Sequence, residues 1–267
     1  MSERQRLDTL VWQRGLAPSR AQAHALVLVG AIAVDGQRVT GAGTLVSPQA
    51  VLTLLKSPQR YVSRGGEKLA AALTAFGLDV RQRLALDIGA STGGFTDCLL
   101  QAGAQRVYAV DVGYGQLHWR LRNDPCVVVY ERTNARYLQA PDLPERPTLL
   151  TIDVSFISLR LLLPGLVKLL APHADVVALI KPQFEVGKGQ VGKGGVVRDA
   201  TQHHRALLDV LIAAQACGLG VRDGIVSPLL GAKGNREFLL HCSLGTQVRC
   251  TVHLQALCAR LAFATRS

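Results

Sequence analysis

The sequence predicts an α/β protein in which a doubly wound sheet of seven strands follows a small N-terminal α+β module. Three observations lead to this fold class. From Leu84 onwards, short apolar segments of strand type alternate with helical patterns. A glycine-rich turn joins the first of these strands to a helix. Residues 3–57 differ, because two short amphipathic helices there precede several short strands.

The N-terminal module is predicted to span residues 1–57. Helices are expected from Arg6 to near Gly15 and over residues 21–29, and strands over 31–34, 37–40 and 50–55. An arginine guanidinium can donate two hydrogen bonds at once to a phosphate. The candidate phosphate ligands in this module are Arg4, Arg6, Arg14 and Arg20. A helix pair that carries arginines is also typical of an ordinary solvated surface.

Residues 58–65 are interpreted as a linker, since Ser57-Pro58 interrupts the pattern before it. The linker adds Arg60 and Arg64 to these candidate phosphate ligands. The second domain, residues 66–267, opens with a helix predicted over 67–76. Lys68 stands in its first turn, where the helix dipole favours acids. This position suggests that Lys68 has a functional task.

The strand predicted over 84–88 leads into a turn that resembles a nucleotide-type site. Glycine at such a turn reaches positive φ at low cost and lets a ligand approach the backbone closely. The candidate cofactor contacts of this segment are Asp87, Gly89, Ser91, Gly93, Gly94 and Phe95. A glycine-rich turn alone does not distinguish one cofactor from another.

Three acids at predicted strand ends indicate which cofactor the glycine-rich turn binds. Asp111 lies 22 residues after Gly89, where a carboxylate that binds ribose is expected in either an NAD or an S-adenosylmethionine site. Asp87 would repel a pyrophosphate, whereas Asp87, Asp111 and Asp153 together would attract an ammonium and a sulfonium. The acids therefore favour S-adenosylmethionine. Alternatively, each acid caps the helix that follows it.

The rest of the domain continues the alternation of strands and helices. Further strands are predicted over 106–110, 126–130, 148–153, 175–181, 221–226 and 237–242, the last two as a hairpin-like pair. Further helices are predicted over 95–102, 159–170 and 200–217, with Pro164 bending the second.

Two lysines and two carboxylates form the candidate catalytic set: Lys68, Asp153, Lys181 and Glu237. Such a set supports proton removal from an alcohol, for example a ribose 2'-hydroxyl, because it offers a base and positive charge near the forming alkoxide. Two lysines close together repel, which favours the neutral form of one of them. The alternative is a pair of ordinary surface ion pairs.

The composition predicts a polyanionic partner. The formal charge is +11 and the sequence pI is about 9.8, so nucleic acid is the first candidate and an anionic membrane surface the second. No apolar run approaches the roughly 18 to 20 residues of a membrane span, and the N-terminus lacks a signal-peptide core. We therefore expect a cytoplasmic protein. No metal is expected, and His203-His204 is interpreted as solvated.

The glycine-rich loop over residues 187–195 nearly matches a phosphate-binding P-loop. Gly194 stands where Ser or Thr would bind magnesium, and no helix follows at once. An ATPase is therefore disfavoured. The loop is interpreted as a basic lid over an RNA backbone through Lys188 and Lys193, or as a flexible surface loop.

Two resemblances sharpen these expectations. Residues 6–8, 14–17, 19–20, 30 and 34–36 resemble the S4 RNA-binding domain. Across its length the chain resembles the TlyA family, whose members carry a hemolysin name and act as ribosomal RNA 2'-O-methyltransferases. The motifs that carry this resemblance are 61–69, 87–95, 111–113, 153–158, 181–185 and 233–237.

The resemblance implies a fold, a cofactor and a substrate. The fold is a Rossmann-like, seven-stranded class I methyltransferase domain of the FtsJ-like type behind an S4-like RNA-binding domain. The implied cofactor is S-adenosylmethionine, and the implied substrate is cytidine ribose in the RNA of the small ribosomal subunit, the large one, or both. Lys68, Asp153, Lys181 and Glu237 match the Lys-Asp-Lys-Glu tetrad of FtsJ-like ribose methyltransferases.

Three other classes of function stay open at this point. A pore-forming cytolysin would need a spanning or strongly amphipathic segment. A non-catalytic RNA-binding or ribosome-assembly protein would need the N-terminal module but not the lysine and carboxylate set. A methyltransferase for small molecules would leave the basic N-terminal module without a task.

Overall fold

The computed structural model describes residues 4–28, 30–55, 60–187, 189–192, 194–245 and 251–264. Two of the predicted RNA contacts, Lys188 and Lys193, lie outside these residues. The chain divides into two compact units, Met1–Arg60 and Tyr61–Ser267.

The N-terminal unit combines a helix pair with short antiparallel strands. Its elements are β1 (Gln5–Arg6), α1 (Leu7–Gln13), α2 (Arg20–Leu28), β2 (Ile32–Val34), β3 (Gln37–Val39), β4 (Leu45–Val46) and β5 (Leu52–Leu54). β2 lies between β3 and β5, and β1 pairs with β4. Leu7, Val11, Val27 and Ile32 are fully buried in its core. The two predicted helices are present. The β1–β4 pair was not predicted, because a strand of two residues carries no alternation.

The larger unit alternates strands with helices. Its elements are α3 (Gly65–Phe76), β6 (Leu84–Ile88), α4 (Gly94–Gln101), β7 (Arg106–Val110), α5 (Trp119–Arg122), β8 (Val127–Tyr130), β9 (Leu149–Ile152), α6 (Leu159–Leu166), β10 (Asp175–Ile180), α7 (Pro182–Glu185), α8 (Ala200–Ala216), β11 (Leu219–Val226), β12 (Phe238–Leu244) and α9 (Thr251–Phe263).

These strands form one seven-stranded sheet in the order β11-β12-β10-β9-β6-β7-β8. The strands from β8 to β10 in this order are parallel, and β12 is antiparallel to both β10 and β11. The seven predicted strands and the pairing of the last two are confirmed. The sequence did not reveal that β12 lies between β10 and β11.

The sheet is buried on both faces, as is usual for parallel strands. On one face, Leu86, Ile88 and Ile152 pack with residues of α6, α8 and α9. On the other face, Ala85 and Leu149 pack with residues of α3 and α4. The unit therefore has three layers, and the carboxyl ends of the parallel strands meet at one edge.

Several helices differ from the predictions. The α-helix predicted over 159–170 ends at Leu166, and a 3₁₀ turn covers Val167–Leu169. The helices α5, α7 and α9 were not predicted. For α9 a signal was present, since Leu254, Leu257, Cys258 and Leu261 are buried at helical spacing.

The prediction for His203 was wrong. This side chain lies within α8 and is buried, and its Nε2 is 2.9 Å from the Val197 carbonyl oxygen. Burial lowers the pKa of His203. Among the described residues, no helix is long and apolar enough to cross a bilayer.

Candidate active site

The glycine turn after β6 is closely packed against the end of β9. Gly89 has φ +83°, and a Cβ there would lie 2.5 Å from the carbonyl oxygen of Asp153. Glycine is therefore required at this position. Gly93, with φ +98°, faces Leu117 and Leu121 instead, and a Cβ would lie 2.2 Å from a Leu121 methyl carbon. Gly93 thus lets the turn pack against the segment that leads into α5.

Asp87 lies beneath this turn and is fully buried. Its carboxylate accepts hydrogen bonds from the hydroxyls of Thr96, at 2.6 Å, and Thr151, at 2.8 Å. It also accepts one from the backbone amide of Thr96, in the first turn of α4. Burial, opposed by these hydrogen bonds, raises the pKa of Asp87 to about 6. These contacts agree with the capping interpretation of Asp87, whose carboxylate faces Thr96 and Thr151.

Asp111 follows the last residue of β7 and organises the neighbouring loops. Its two carboxylate oxygens accept hydrogen bonds from the amides of Ser91, at 2.8 Å, and Gly113, at 2.7 Å. Asp111 lines a cavity of about 460 Å³. The apolar part of this cavity includes Val110, Ile157 and Leu162.

A second cavity, of about 510 Å³, contains all four residues of the predicted catalytic set in its wall. Lys68 Nζ lies 2.5 Å from Glu237 Oε2, and Lys181 Nζ lies 2.7 Å from Asp153 Oδ1. Lys181 also donates a hydrogen bond to Ser155 Oγ at 3.0 Å. Each lysine therefore has its own carboxylate.

The two cavities belong to one cleft at the carboxyl edge of the parallel strands. The residues that line both are Gly89, Ser91, Asp153, Ser155 and Phe156. Gly94 and Phe95 line the cavity that holds the lysines. The two lysines thus lie at one end of the cleft, and the other end combines apolar side chains with Asp111.

The sheet topology explains how residues far apart in sequence meet here. Lys181 follows the last residue of β10, and Glu237 precedes the first residue of β12. Because these strands are antiparallel and Ile180 pairs with Phe238, Lys181 and Glu237 emerge at the same edge. Asp153 follows β9, the parallel neighbour of β10.

The sequence of this domain matches a known family over most of its length. The family described as FtsJ-like methyltransferase matches residues 61–243. The chain belongs to this FtsJ-like methyltransferase family. The S4 domain matches residues 5–52.

Individual relatives of this FtsJ-like methyltransferase agree with the assignment. It is 50% identical over 244 residues to the 16S/23S rRNA (cytidine-2'-O)-methyltransferase TlyA of Mycobacterium tuberculosis, with 90% of each chain covered. It is 42% identical over 237 residues to Hemolysin A of Brachyspira hyodysenteriae, with 88% of this chain and 98% of the relative covered. A solved structure of a candidate hemolysin from Streptococcus thermophilus has a TM-score of 0.74 and 42% identity, and covers 97% of this chain and 96% of that one.

The predicted RNA contacts of the S4 domain have different surroundings. Arg4 and Arg20 are exposed. Arg6 forms an ion pair with the buried Asp8 at 2.6 Å, and this contact holds the pKa of Asp8 well below its usual range. Arg14 donates hydrogen bonds to the carbonyl oxygens of Ala50, at 2.6 Å, and Pro48. Arg14 therefore ties α1 to the segment before β5.

In the larger unit of this FtsJ-like methyltransferase, Arg64 donates a hydrogen bond to the Leu230 carbonyl at 3.3 Å. Arg64 also lines the cavity that holds the lysines. Arg60, the last residue of the N-terminal unit, is exposed.

Two features of the FtsJ-like methyltransferase site were not predicted from the sequence. Thr133 and Asn134 line the cavity beside Asp111, and the Thr133 amide donates to the Asp111 carbonyl at 3.0 Å. Both residues follow shortly after the end of β8, and this position in the sequence could have indicated that they lie at the cleft. Gly231 packs directly on Glu237, because a Cβ there would lie 1.8 Å from Glu237 Oε1. No local pattern connects these two residues.

Proposed function

We propose that this protein transfers a methyl group from S-adenosylmethionine to the ribose 2'-hydroxyl of cytidines in ribosomal RNA. The observation that carries this proposal is the position of the two lysine–carboxylate pairs. They line the part of the cleft that adjoins the glycine turn. The TlyA relative, 50% identical to this chain, bears the name of that reaction.

The cleft fits S-adenosylmethionine. The apolar wall at Val110, Ile157 and Leu162 suits an adenine ring, and the neighbouring Asp111 carboxylate suits ribose hydroxyls. Asp153 offers negative charge to a sulfonium or an ammonium group. Gly89 lets the turn pack against the end of β9, since a side chain there would meet the backbone of Asp153.

The other proposed cofactor residues divide into two groups. Ser91, Gly94 and Phe95 lie in the cleft wall and are proposed as direct contacts. Asp87 and Gly93 are proposed to hold the turn in shape from behind, because Asp87 is buried and Gly93 faces leucine side chains. When bound, the cofactor supplies an electrophilic methyl group.

In the proposed mechanism, Lys181 removes the proton of the ribose 2'-hydroxyl. Its Nζ accepts this proton as the base, and the ammonium group that results stabilises the negative charge that develops on the 2'-oxygen. Asp153 and Ser155 fix the position of Nζ. Lys68, held by Glu237, adds positive charge to the wall of the same cavity.

We propose that residues 1–57 bind the RNA, that 58–65 link the domains, and that 66–267 carry out the reaction. The match of the S4 domain to residues 5–52 and the charge of +11 support an RNA partner, either as ribosomal RNA or as a ribosomal subunit. Direct phosphate contacts are proposed first for the exposed Arg4 and Arg20. Arg6 and Arg14 already have protein partners. A cytoplasmic location follows from such a substrate.

The test is transfer of labelled methyl groups from S-adenosylmethionine to purified ribosomal subunits. Wild-type protein is compared with Lys181→Ala and with the matched control Lys168→Ala, which removes an exposed lysine next to α6. We expect Lys181→Ala to reduce the rate by about 100-fold or more. The control should keep the wild-type rate.

Mapping the product completes the test. A 2'-O-methylated nucleotide resists alkaline cleavage of the bond that follows it, so the label should coincide with an alkali-resistant cytidine. Label on a base, or no label with cofactor still bound, would contradict the proposed substrate.

A further inference from the structure

Two active-site segments run side by side and touch at three successive points. The first is the loop between β9 and α6, residues 153–158, called here the 153–158 loop. The second is the turn after β10, residues 181–185, called here the 181–185 turn. Lys181 contacts Asp153 and Ser155, and the rings of Phe184 and Phe156 lie 5.1 Å apart.

The third contact is made by Glu185, which is buried to 3% exposure. Its Oε2 accepts a hydrogen bond from Ser158 Oγ at 2.5 Å, and its Oε1 accepts one from the Leu159 amide at 2.8 Å. Ser158 is the N-cap of α6. Glu185 therefore fastens the far end of the 153–158 loop, while Lys181 contacts its near end.

The charged surroundings of Glu185 also join the same segments. Arg160, in the first turn of α6, has Nε 3.6 Å from Glu185 Oε2, and its Nη2 donates to the Glu185 backbone carbonyl at 3.2 Å. Asp209 of α8 lies on the other side of this arginine, at 3.6 Å. Burial raises the pKa of Glu185. A buried carboxyl group whose hydrogen bonds are satisfied holds the segments that it joins in a single arrangement.

The 153–158 loop needs such support. Phe156 has φ +67°, in the left-handed region that aromatic residues rarely adopt. A backbone in this region persists where the surrounding contacts hold it. Lys181 contacts the loop before this residue, Glu185 contacts it after this residue, and the Phe184 ring lies beside the Phe156 ring.

From this geometry we infer that Glu185 is a positioning residue for methyl transfer. It holds the 153–158 loop against the 181–185 turn, so that Asp153 and Ser155 meet Lys181 Nζ. Glu185 contacts neither the ribose nor the methyl group and acts through Lys181. This inference rests on the proposed function.

A double-mutant cycle tests whether Glu185 acts through Lys181. Glu185→Ala is introduced into the wild type and into Lys181→Ala, and the single-turnover rate is measured with saturating cofactor and ribosomal subunits. A displaced catalytic group costs a large factor, so we expect a loss of roughly 10- to 100-fold in the wild-type background. In the Lys181→Ala background we expect a loss below about threefold, because residues that act as a unit are not additive.

Three further variants separate positioning from folding. Glu185→Gln keeps an acceptor for the Leu159 amide and should stay within about threefold of the wild type. Ser158→Ala removes one of the two bonds and replaces Glu185→Ala in the cycle if that variant does not fold by circular dichroism. Asp209→Asn is the matched control, since it alters the charge beside Arg160 without touching either segment, and it should keep the wild-type rate.

Each outcome has a distinct meaning. Equal losses in both backgrounds, or no loss in the wild type, would overturn the inference and leave the proposed function standing. No RNA methylation by the wild type would instead overturn the proposed function.

Discussion

The buried carboxyl group of Asp87 leads to a prediction about stability and pH. It lies beneath the glycine turn and joins β6, β9 and α4 through hydrogen bonds to Thr151 and Thr96. Its pKa is raised from 3.8 to about 6. Asn has the same shape and cannot ionise. We therefore consider Asp87→Asn.

The direction in which stability changes with pH follows from proton binding. Between these two pKa values the folded state binds the proton more tightly than the unfolded state. The stabilisation from Asp87 is thus fully present below about pH 4 and is lost as the pH rises through about 6. The difference between 3.8 and about 6 corresponds to about 3 kcal/mol. Relative to Asp87→Asn, the wild type should lose that amount of unfolding free energy between about pH 4 and pH 7.

Urea unfolding followed by circular dichroism at several pH values measures this difference. Asp79→Asn is the control. Asp79 is exposed, and its hydrogen bond with Arg81 lowers its pKa to about 2. The stability that Asp79 contributes is lost only below about pH 4. The difference in unfolding free energy between wild type and Asp79→Asn should therefore stay constant between about pH 4 and pH 7. Parallel pH profiles for wild type and Asp87→Asn would refute the reasoning.

Two further predictions concern catalysis and RNA binding. Gly231→Ala should displace the Glu237 carboxylate and lower methyl transfer by at least about tenfold, with cofactor affinity by calorimetry within about twofold. Gly165→Ala, whose nearest contact would be 3.9 Å, should have no such effect, and equal activity of the two variants would contradict the prediction. Arg20→Ala should weaken RNA binding and reduce the slope of log affinity against log salt by about one. Arg14→Ala should instead reduce the unfolding free energy by about 0.5 to 1.5 kcal/mol, since two backbone carbonyls lose their donor; an unchanged urea midpoint would disprove this role.

The sequence predicted the sheet well because its strands are continuous apolar runs between turns. The three acids predicted at strand ends differ by one position relative to the end of their strand. Asp111 and Asp153 follow the last residue of β7 and β9, whereas Asp87 precedes the last residue of β6. An acid beyond a strand can face the cleft, but one within a fully covered strand is buried whichever face it occupies.

Other features depended on partners that are distant in sequence. Nothing near residue 238 indicates that β12 inserts beside β10. Glu185 finds its partners 26 and 27 residues earlier, so no local spacing predicts its contacts. His203 is different. It lies on the same helical stripe as the buried Leu207, Val210 and Ala214, and that periodicity could have identified it.

The insertion of β12 also affects when the site can assemble during synthesis. Lys68 and Glu237, which form one ion pair, are separated by 169 residues. A long loop must close before this contact forms, and domains rich in such contacts fold slowly. The emerging polypeptide can pair β6, β7, β8, β9 and β10 in turn, but β10 gains its second neighbour only after β12 has been translated. Until then, one side of β10 exposes unpaired backbone groups, which leaves this strand open to pairing with another chain during synthesis.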